Sequence, residues 1–432
     1  MTMGKDVVYK PRLIDEEISS NMRLFGCVAI TGPKWCGKTT TADRIANTAV
    51  DLQNCDEYDR YRKVANLDPS LLLRGDTPVL VDEWQKIPEV WDATRYQTDL
   101  RNKRGLFILT SSRTINESEI EHSGAGRISR LRMRTMSLWE SGRSTGDVCL
   151  SKLFEGQDSI SGLPEYDYEQ MARNLVRGGW PGTQDSSELD AFRMIESYCN
   201  AIIDTNLRLE SESIESGKTK NTRRGRTMHN VLRSLSQASG SETSLAKIRD
   251  DVIQNGTSIS INTLYSYVEA LQNIYVTENL QPWIPQLRTR TAIRTTDTRH
   301  FSDPSMAAYF LDAGPEKLIY DPNTFELLFR TMAIRDLRVY AQTLDGHVCH
   351  YRDKDGLEVD AIIRLPQGTW AAVEVKLNDC WADEASKNLI TLRNKMAPGM
   401  KPPAFLAVIT ADGAAYTRED GVHVIPLSCL RN

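Results

Sequence analysis

A chain of 432 residues, 40% hydrophobic and 26% charged, has the composition of a folded protein of several domains rather than of a disordered one. Its net charge of -5 excludes a global attraction to nucleic acid, so any such contact has to come from a local basic patch. No stretch approaches the roughly 18 uninterrupted apolar residues of a membrane span, and the start MTMGKDVVYKPR lacks the apolar core of a signal peptide, so no membrane partner and a cytoplasmic location are expected.

The eight cysteines are scattered, never at the short spacing of a zinc knuckle or redox motif, and are expected as free thiols. In chain order, the apolar run Phe25 to Thr31 leads into a glycine-bearing turn, and Lys38 to Val50 reads as a helix. Pro78 to Val81 and Leu106 to Thr110 read as further strands, with Glu89 to Lys103 as a crossover helix between them. Strands alternating with helices imply a parallel sheet, whose ligands sit beyond the carboxyl ends of the strands.

Tyr166 to Leu209 reads as helical, broken at Gly178-Gly179-Trp180-Pro181-Gly182. The segment 211–226 reads as a linker. Its cations Lys218, Lys220, Arg223, Arg224 and Arg226 form either a nucleic-acid patch or a solvated charge run. Helices over Met228 to Gln237, Leu245 to Ile253 and Ile261 to Ile274, then a strand over Ile274 to Trp283, suggest a winged helix. The third of these helices carries Ser260, Asn262, Thr263, Ser266 and acidic Glu269 where a groove reader usually carries cations. Beyond Phe301-Ser302-Asp303-Pro304, a helix at Thr324 to Asp336 precedes strands at Val348 to Arg352, Leu357 to Arg364 and Trp370 to Lys376. A helix at Asp383 to Met396 and strands at Phe405 to Thr410 and Val422 to Pro426 close a mixed domain.

The stretch Gly32-Pro33-Lys34-Trp35-Cys36-Gly37-Lys38-Thr39 satisfies G-x-x-x-x-G-K-[ST]. Its glycines let backbone N–H groups turn inward around phosphates at a helix amino terminus, so these eight residues, with Thr40, are expected to bind ATP. Lys38 is expected on the β- and γ-phosphates and Thr39 on Mg²⁺. The acidic strand end Asp82-Glu83 supplies the complement: Asp82 holds Mg²⁺, and Glu83 orients and activates the attacking water. Ser112, with Thr110 and Ser111, takes the place of a sensor near the γ-phosphate, or is a plain strand-end turn. Arg127, and after it Arg113, are candidates for stabilising the transferred phosphoryl, within the chain or as a finger into a neighbouring copy in a homo-oligomer.

In the last domain Asp360 on one strand, and Glu374 and Lys376 on its hairpin partner, can converge, because side chains two apart share a face. Asp360 and Glu374 could hold a divalent cation and Lys376 could position a water, with Glu326 on the preceding helix completing the set as in a metal-dependent phosphodiesterase. Alternating charges also mark the solvated face of a half-exposed strand, yet the run TWAAVEVK is apolar up to Glu374.

GPKWCGKTT, LVDEWQKIPEVWD, FILTSSR, AGRISRLRMRTMSLWE, GGWPG, FSDPSMAAYF, FELLF, YRDKDGLEVDAII and AAVEVK together resemble a prokaryotic family of AAA-type ATP-binding proteins that carry a C-terminal domain of unknown function, DUF4143. The resemblance implies an α/β chain: a P-loop AAA+/STAND-like parallel-sheet ATPase core (1–140), a helical lid and linker (141–225), a winged-helix-like domain (226–300) and a DUF4143-type domain similar to PD-(D/E)XK nucleases (301–432). Carried over, Gly32, Gly37, Lys38 and Thr39 look like Walker A, Asp82 and Glu83 like Walker B, and Glu326, Asp360, Glu374 and Lys376 like the nuclease-type quartet. Ser111 stands where the family usually has glycine, and Thr135 where it usually has proline. The expected function is an ATP-hydrolysing switch or motor acting with nucleic acid, DNA before RNA, through a nuclease-like domain. The alternative is an ATP-dependent signalling or assembly protein whose nuclease-like domain is catalytically silent and serves for docking.

Overall fold

The computed structural model describes residues 9–115, 117–211, 218–285, 296–396 and 400–432. They divide into two compact units, one running to Thr135 and including Asn273–Tyr275, the other holding the rest from Met136 onward. Among the described residues no helix is long and apolar enough to cross a membrane.

The first unit runs α1 (Ile14–Leu24), β1 (Cys27–Thr31), α2 (Lys38–Asp43), β2 (Thr48–Asp51), α3 (Cys55–Leu67), β3 (Val79–Asp82), α4 (Glu89–Arg101), β4 (Phe107–Ser111) and β5 (Ile128–Arg132). Its five strands form a wholly parallel sheet in the order β2-β3-β4-β1-β5. Successive strand residues face opposite sides, and both sides are buried. Cys27, Ala29, Val79, Val81, Phe107 and Leu109 pack with Trp84, Val90 and Trp91, whereas Val28, Ile30, Leu80 and Ile108 pack with Ile14, Ile18 and Ala42.

The helix expected over Lys38 to Val50 stops at Asp43, and Thr48–Asp51 is a strand paired with β3. Three consecutive threonines give α2 little intrinsic helicity, and pairing Asn47 N–H with Pro78 O at 2.9 Å turns the chain into the sheet. That pairing brings the carboxyl end of β2 beside that of β3.

The second unit runs β6 (Val148–Cys149), α5 (Leu150–Phe154), β7 (Ser161–Gly162), α6 (Tyr168–Arg177), α7 (Glu188–Ser211), α8 (Lys218–Gln237), α9 (Leu245–Gln254), α10 (Ile261–Asn273), β8 (Thr277–Leu280), β9 (Thr298–Phe301), α11 (Pro304–Phe310), α12 (Pro315–Tyr320), α13 (Pro322–Gln342), β10 (His347–Arg352), β11 (Glu358–Arg364), β12 (Trp370–Val375), α14 (Ala382–Lys395), β13 (Leu406–Thr410), β14 (Ala415–Thr417), β15 (His423–Pro426) and β16 (Leu430–Arg431). The expected linker is helical from Lys218 onward, and residues 212–217 lie outside the described residues. α13 begins two residues earlier than expected because Asp321 caps it, accepting from Thr324 N–H, and Pro322 fits its first turn, and it runs on beyond Asp336 to Gln342.

A seven-stranded mixed sheet, β10-β11-β12-β13-β15-β14-β7, forms the C-terminal core with α14 packed on it. Its last strand, β7, comes from the segment expected in the helical lid, as does β6, which pairs with β16. Trp283, Ile362, Trp370, Ala372, Leu389, Leu406 and Val408 fill this core.

Candidate nucleotide site and a C-terminal charged cluster

The loop from Gly32 to Gly37 joins β1 to α2 at the carboxyl edge of the parallel sheet. Two glycines are obligatory in it. A Cβ on Gly32 would stand 2.1 Å from Met133 O, and Gly37 opens α2 at φ 105°, a left-handed conformation open chiefly to glycine. The loop is pinned from below: buried Arg12 donates to Cys36 O at 2.9 Å and to Arg134 O at 2.8 Å. Lys38 is buried at the start of α2 and donates to Gly32 O and Pro33 O at 3.0 and 2.8 Å. Lys34, Trp35 and Thr40 are exposed.

Opposite stands the end of β3. Thr39 Oγ1 donates to Asp82 Oδ1 at 2.8 Å, Gln53 Nε2 donates to Asp82 Oδ2 at 2.9 Å, and Thr110 Oγ1 also donates to Asp82 Oδ1. Burial pushes the Asp82 carboxyl up, against the lowering effect of these three donors. Thr39 and Asp82 together offer the hard oxygen donors that Mg²⁺ takes. Glu83 has a left-handed backbone at φ 55°, which turns its side chain back toward the end of β4. There Ser112 Oγ donates to Glu83 Oε1, Gln85 Nε2 to Glu83 Oε2, and Glu83 N–H donates to Thr110 Oγ1 at 3.1 Å.

Two expected groups lie elsewhere. Arg127 O accepts from Cys27 N–H at the opening of β1, and its guanidinium pairs with Asp99 at 2.8 Å. Parallel strands share a direction, so Arg127 sits at the amino edge of the sheet, a strand length of roughly 13 Å from the phosphate loop. It cannot serve its own chain's nucleotide, and only the finger into a neighbouring copy survives. Arg113 is at the correct edge but pairs with Glu119 at 2.7 Å, and Ser111 Oγ donates to Arg113 O, which leaves Thr110 and Ser112 as the groups organised around the acids.

In the second unit, the β11–β12 register brings Asp360 and Glu374 side by side. Lys376 Nζ stands 3.6 Å from Glu374 Oε2, and Asp360 Oδ2 accepts from Val375 N–H at 2.8 Å. Burial and the neighbouring Asp360 charge push the Glu374 carboxyl well up. Glu326 on α13 approaches the same cluster, but a cation that the motif did not announce lies between: Arg330 Nε is 3.0 Å from Asp360 and Arg330 Nη2 is 3.3 Å from Glu326. Among the described residues no three His, Cys, Asp or Glu side chains gather as a metal-ligand group.

Residues 25–141 match the AAA domain, residues 168–317 a domain of unknown function (DUF8612), and residues 326–430 a second domain of unknown function (DUF4143). The chain joins an AAA domain to a C-terminal DUF4143 domain. A search of curated proteins finds no match. Among solved structures, the Walker-type ATPase paby2304 of Pyrococcus abyssi is similar at 14% identity and a TM-score of 0.44, over 71% of this chain and 97% of that one. ORC2 of Aeropyrum pernix, in ADPNP and ADP complexes, is similar at 11% identity and a TM-score of 0.34, over 74% and 97%. The replication initiator DnaA bound to AMPPCP and single-stranded DNA is similar at 13% identity and a TM-score of 0.27, over 60% and 86%.

Within the AAA domain, sequence reasoning missed Gln53 and Arg12. Gln53 had a signal, since it is a polar residue two positions past the end of β2, whose last residue pairs with Asp82, but only once β2 is recognised as a strand. In the DUF4143 domain it missed Arg330, whose only signal is its place four residues after Glu326, one helical turn on.

Proposed function

We propose that this protein is an ATP-hydrolysing P-loop switch or motor that acts with nucleic acid through its C-terminal half. The observation that carries the first part is the Thr39–Asp82 contact of 2.8 Å, with Glu83 anchored beside it and the Gly32–Gly37 loop facing them. Mg²⁺-ATP would be held by the loop N–H groups, Lys38, Thr39 and Asp82, the metal supplying charge neutralisation at the β- and γ-phosphates. Glu83 would orient the attacking water and take its proton.

Lys38→Ala removes the buried lysine at the start of α2 that is expected to set a full positive charge on the phosphates. Equilibrium dialysis with Mg²⁺-ATP is expected to give an affinity lower by about 10- to 100-fold, the worth of a charged hydrogen bond. Unchanged affinity would sink the nucleotide reading.

For nucleic acid, the support is the start of α8, where residues 218–226 carry five cations and no acid. Side chains at Lys218, Lys220 and Arg223 lie outside the described residues. Affinity for single-stranded DNA, duplex DNA and RNA is expected to fall steeply with salt, and to flatten toward salt independence when these five become alanine. A specific observation favours the docking alternative over cutting: Arg330 already pairs with Asp360 and Glu326. On that ground plasmid, single-stranded DNA and RNA are expected to stay intact in Mg²⁺ or Mn²⁺. Cleavage abolished by both Asp360→Ala and Lys376→Ala would instead restore a cutting role.

A further inference from the structure

A divalent cation at the C-terminal quartet would have to be shared by Asp360 and its neighbouring acids. That position is contested by Arg330. Its Nε lies 3.0 Å from Asp360 Oδ1, its Nη2 lies 3.3 Å from Glu326 Oε1, and its Nη1 donates to Gly240 O at 3.3 Å. Two directions of the guanidinium are hydrogen-bonded, the third edge faces Asp360 as an ion pair, and the side chain is only 20% exposed. The second oxygen of Asp360 is engaged by Val375 N–H, and Lys376 lies beside Glu374. Each acid of the quartet thus already has a protein cation within 4 Å.

A metal ion bound by Asp360, whether shared with Glu374 or with Glu326, would lie within a few ångströms of the guanidinium. Arginine cannot lose its proton to relieve that repulsion, and at such a distance like charges interact strongly even at a screened protein dielectric. We infer that Arg330 is the built-in cation of this cluster, so that the C-terminal domain takes no divalent metal ion and does not run metal-dependent phosphodiester cleavage. The inference rests on reading Glu326, Asp360, Glu374 and Lys376 as one nuclease-type cluster and is independent of the nucleotide site.

The test is Mn²⁺ binding to the full chain without nucleotide, read from the electron paramagnetic resonance of free Mn²⁺. Parent and Asp360→Asn are expected to titrate identically, because any Mn²⁺ near Thr39 and Asp82 is common to both. Arg330→Ser is expected to gain a site on the order of a hundredfold tighter than anything Asp360 supports in the parent. That gain should vanish in Arg330→Ser with Asp360→Asn. Arg330→Lys keeps the charge and is expected to match the parent.

Parent Mn²⁺ binding that Asp360→Asn removes would overturn the inference, as would a gain in Arg330→Lys or no gain in an Arg330→Ser variant that melts cooperatively. If Arg330→Ser does not fold, the parent, Asp360→Asn and Arg330→Lys still decide. ATP retention, read with Lys38→Ala, fails or holds separately.

Discussion

Glu83→Gln is expected to retain Mg²⁺-ATP with parental affinity and to turn it over on the order of 10²–10⁴-fold more slowly, the usual loss when a positioned base is removed. The amide keeps the shape of the side chain and can still accept from Ser112 or Gln85, which both hold the carboxylate in the parent. What it loses is the capacity to take the proton of the attacking water. Asp82 is a poor substitute, since on the proposed reading its carboxylate stands against Thr39 to hold the metal ion. Ser112→Ala tests the geometry rather than the base: one carboxylate oxygen is freed, and turnover is expected to fall by roughly tenfold, the worth of one hydrogen bond. Single-turnover phosphate release with prebound ATP separates these effects from binding. Parental release by Glu83→Gln would move the base to another residue.

The parts of this site that were legible in sequence are those fixed by local geometry. Gly32 and Gly37 announce themselves because a close backbone approach and a positive φ leave few alternatives. Asp82 and Glu83 do so because an apolar strand ending in acids is readable within a few residues. The amphipathic and β-branched runs likewise gave most strands and helices, since burial on both faces of a parallel sheet leaves an almost unbroken apolar record. What failed depends on partners distant in the chain. Thr48–Asp51 looks helical until β3 is beside it, and Gln53 is unreadable as a site residue for the same reason. Ser161–Gly162 become a strand only because β14, some 250 residues later, offers an edge. Arg330 has the spacing of an ordinary helical ion pair, and its second partner, Asp360, is visible only in three dimensions.

The motifs GGWPG and FSDPSM, which sequence reading left without a role, meet in the interior of the second unit, and Arg335→Leu is expected to show what they do. Asp303 accepts from Gly179 N–H at 2.9 Å and from Ser305 Oγ at 2.6 Å, while Trp180 Nε1 donates to that hydroxyl at 3.0 Å. Arg335 bridges from Asp303, at 3.0 Å, to Asp336, at 2.7 Å, and Asp336 accepts from Leu138 N–H at 3.0 Å. All three charged side chains are at most 3% exposed. Replacing the guanidinium by an apolar group strands two carboxylates in the core, at a cost of about 3–5 kcal/mol, enough to unfold much of a marginally stable unit. Asp336→Asn is expected to cost less, because it turns a triad of one cation and two anions into a neutral pair and its carbonyl can still accept from Leu138. It also carries a pH signature. Burial pushes the Asp336 carboxyl up to about 6 despite Arg335. An acid whose folded pKa is raised contributes stability that is complete in acid and is lost as pH rises through that value. The parent should therefore lose stability between roughly pH 4, where the unfolded carboxyl ionises, and pH 6, a loss that Asp336→Asn does not show, measured as urea midpoints across that range. Equal slopes in the two proteins, or an Arg335→Leu variant as stable as the parent, would show that the triad is not what holds these motifs together.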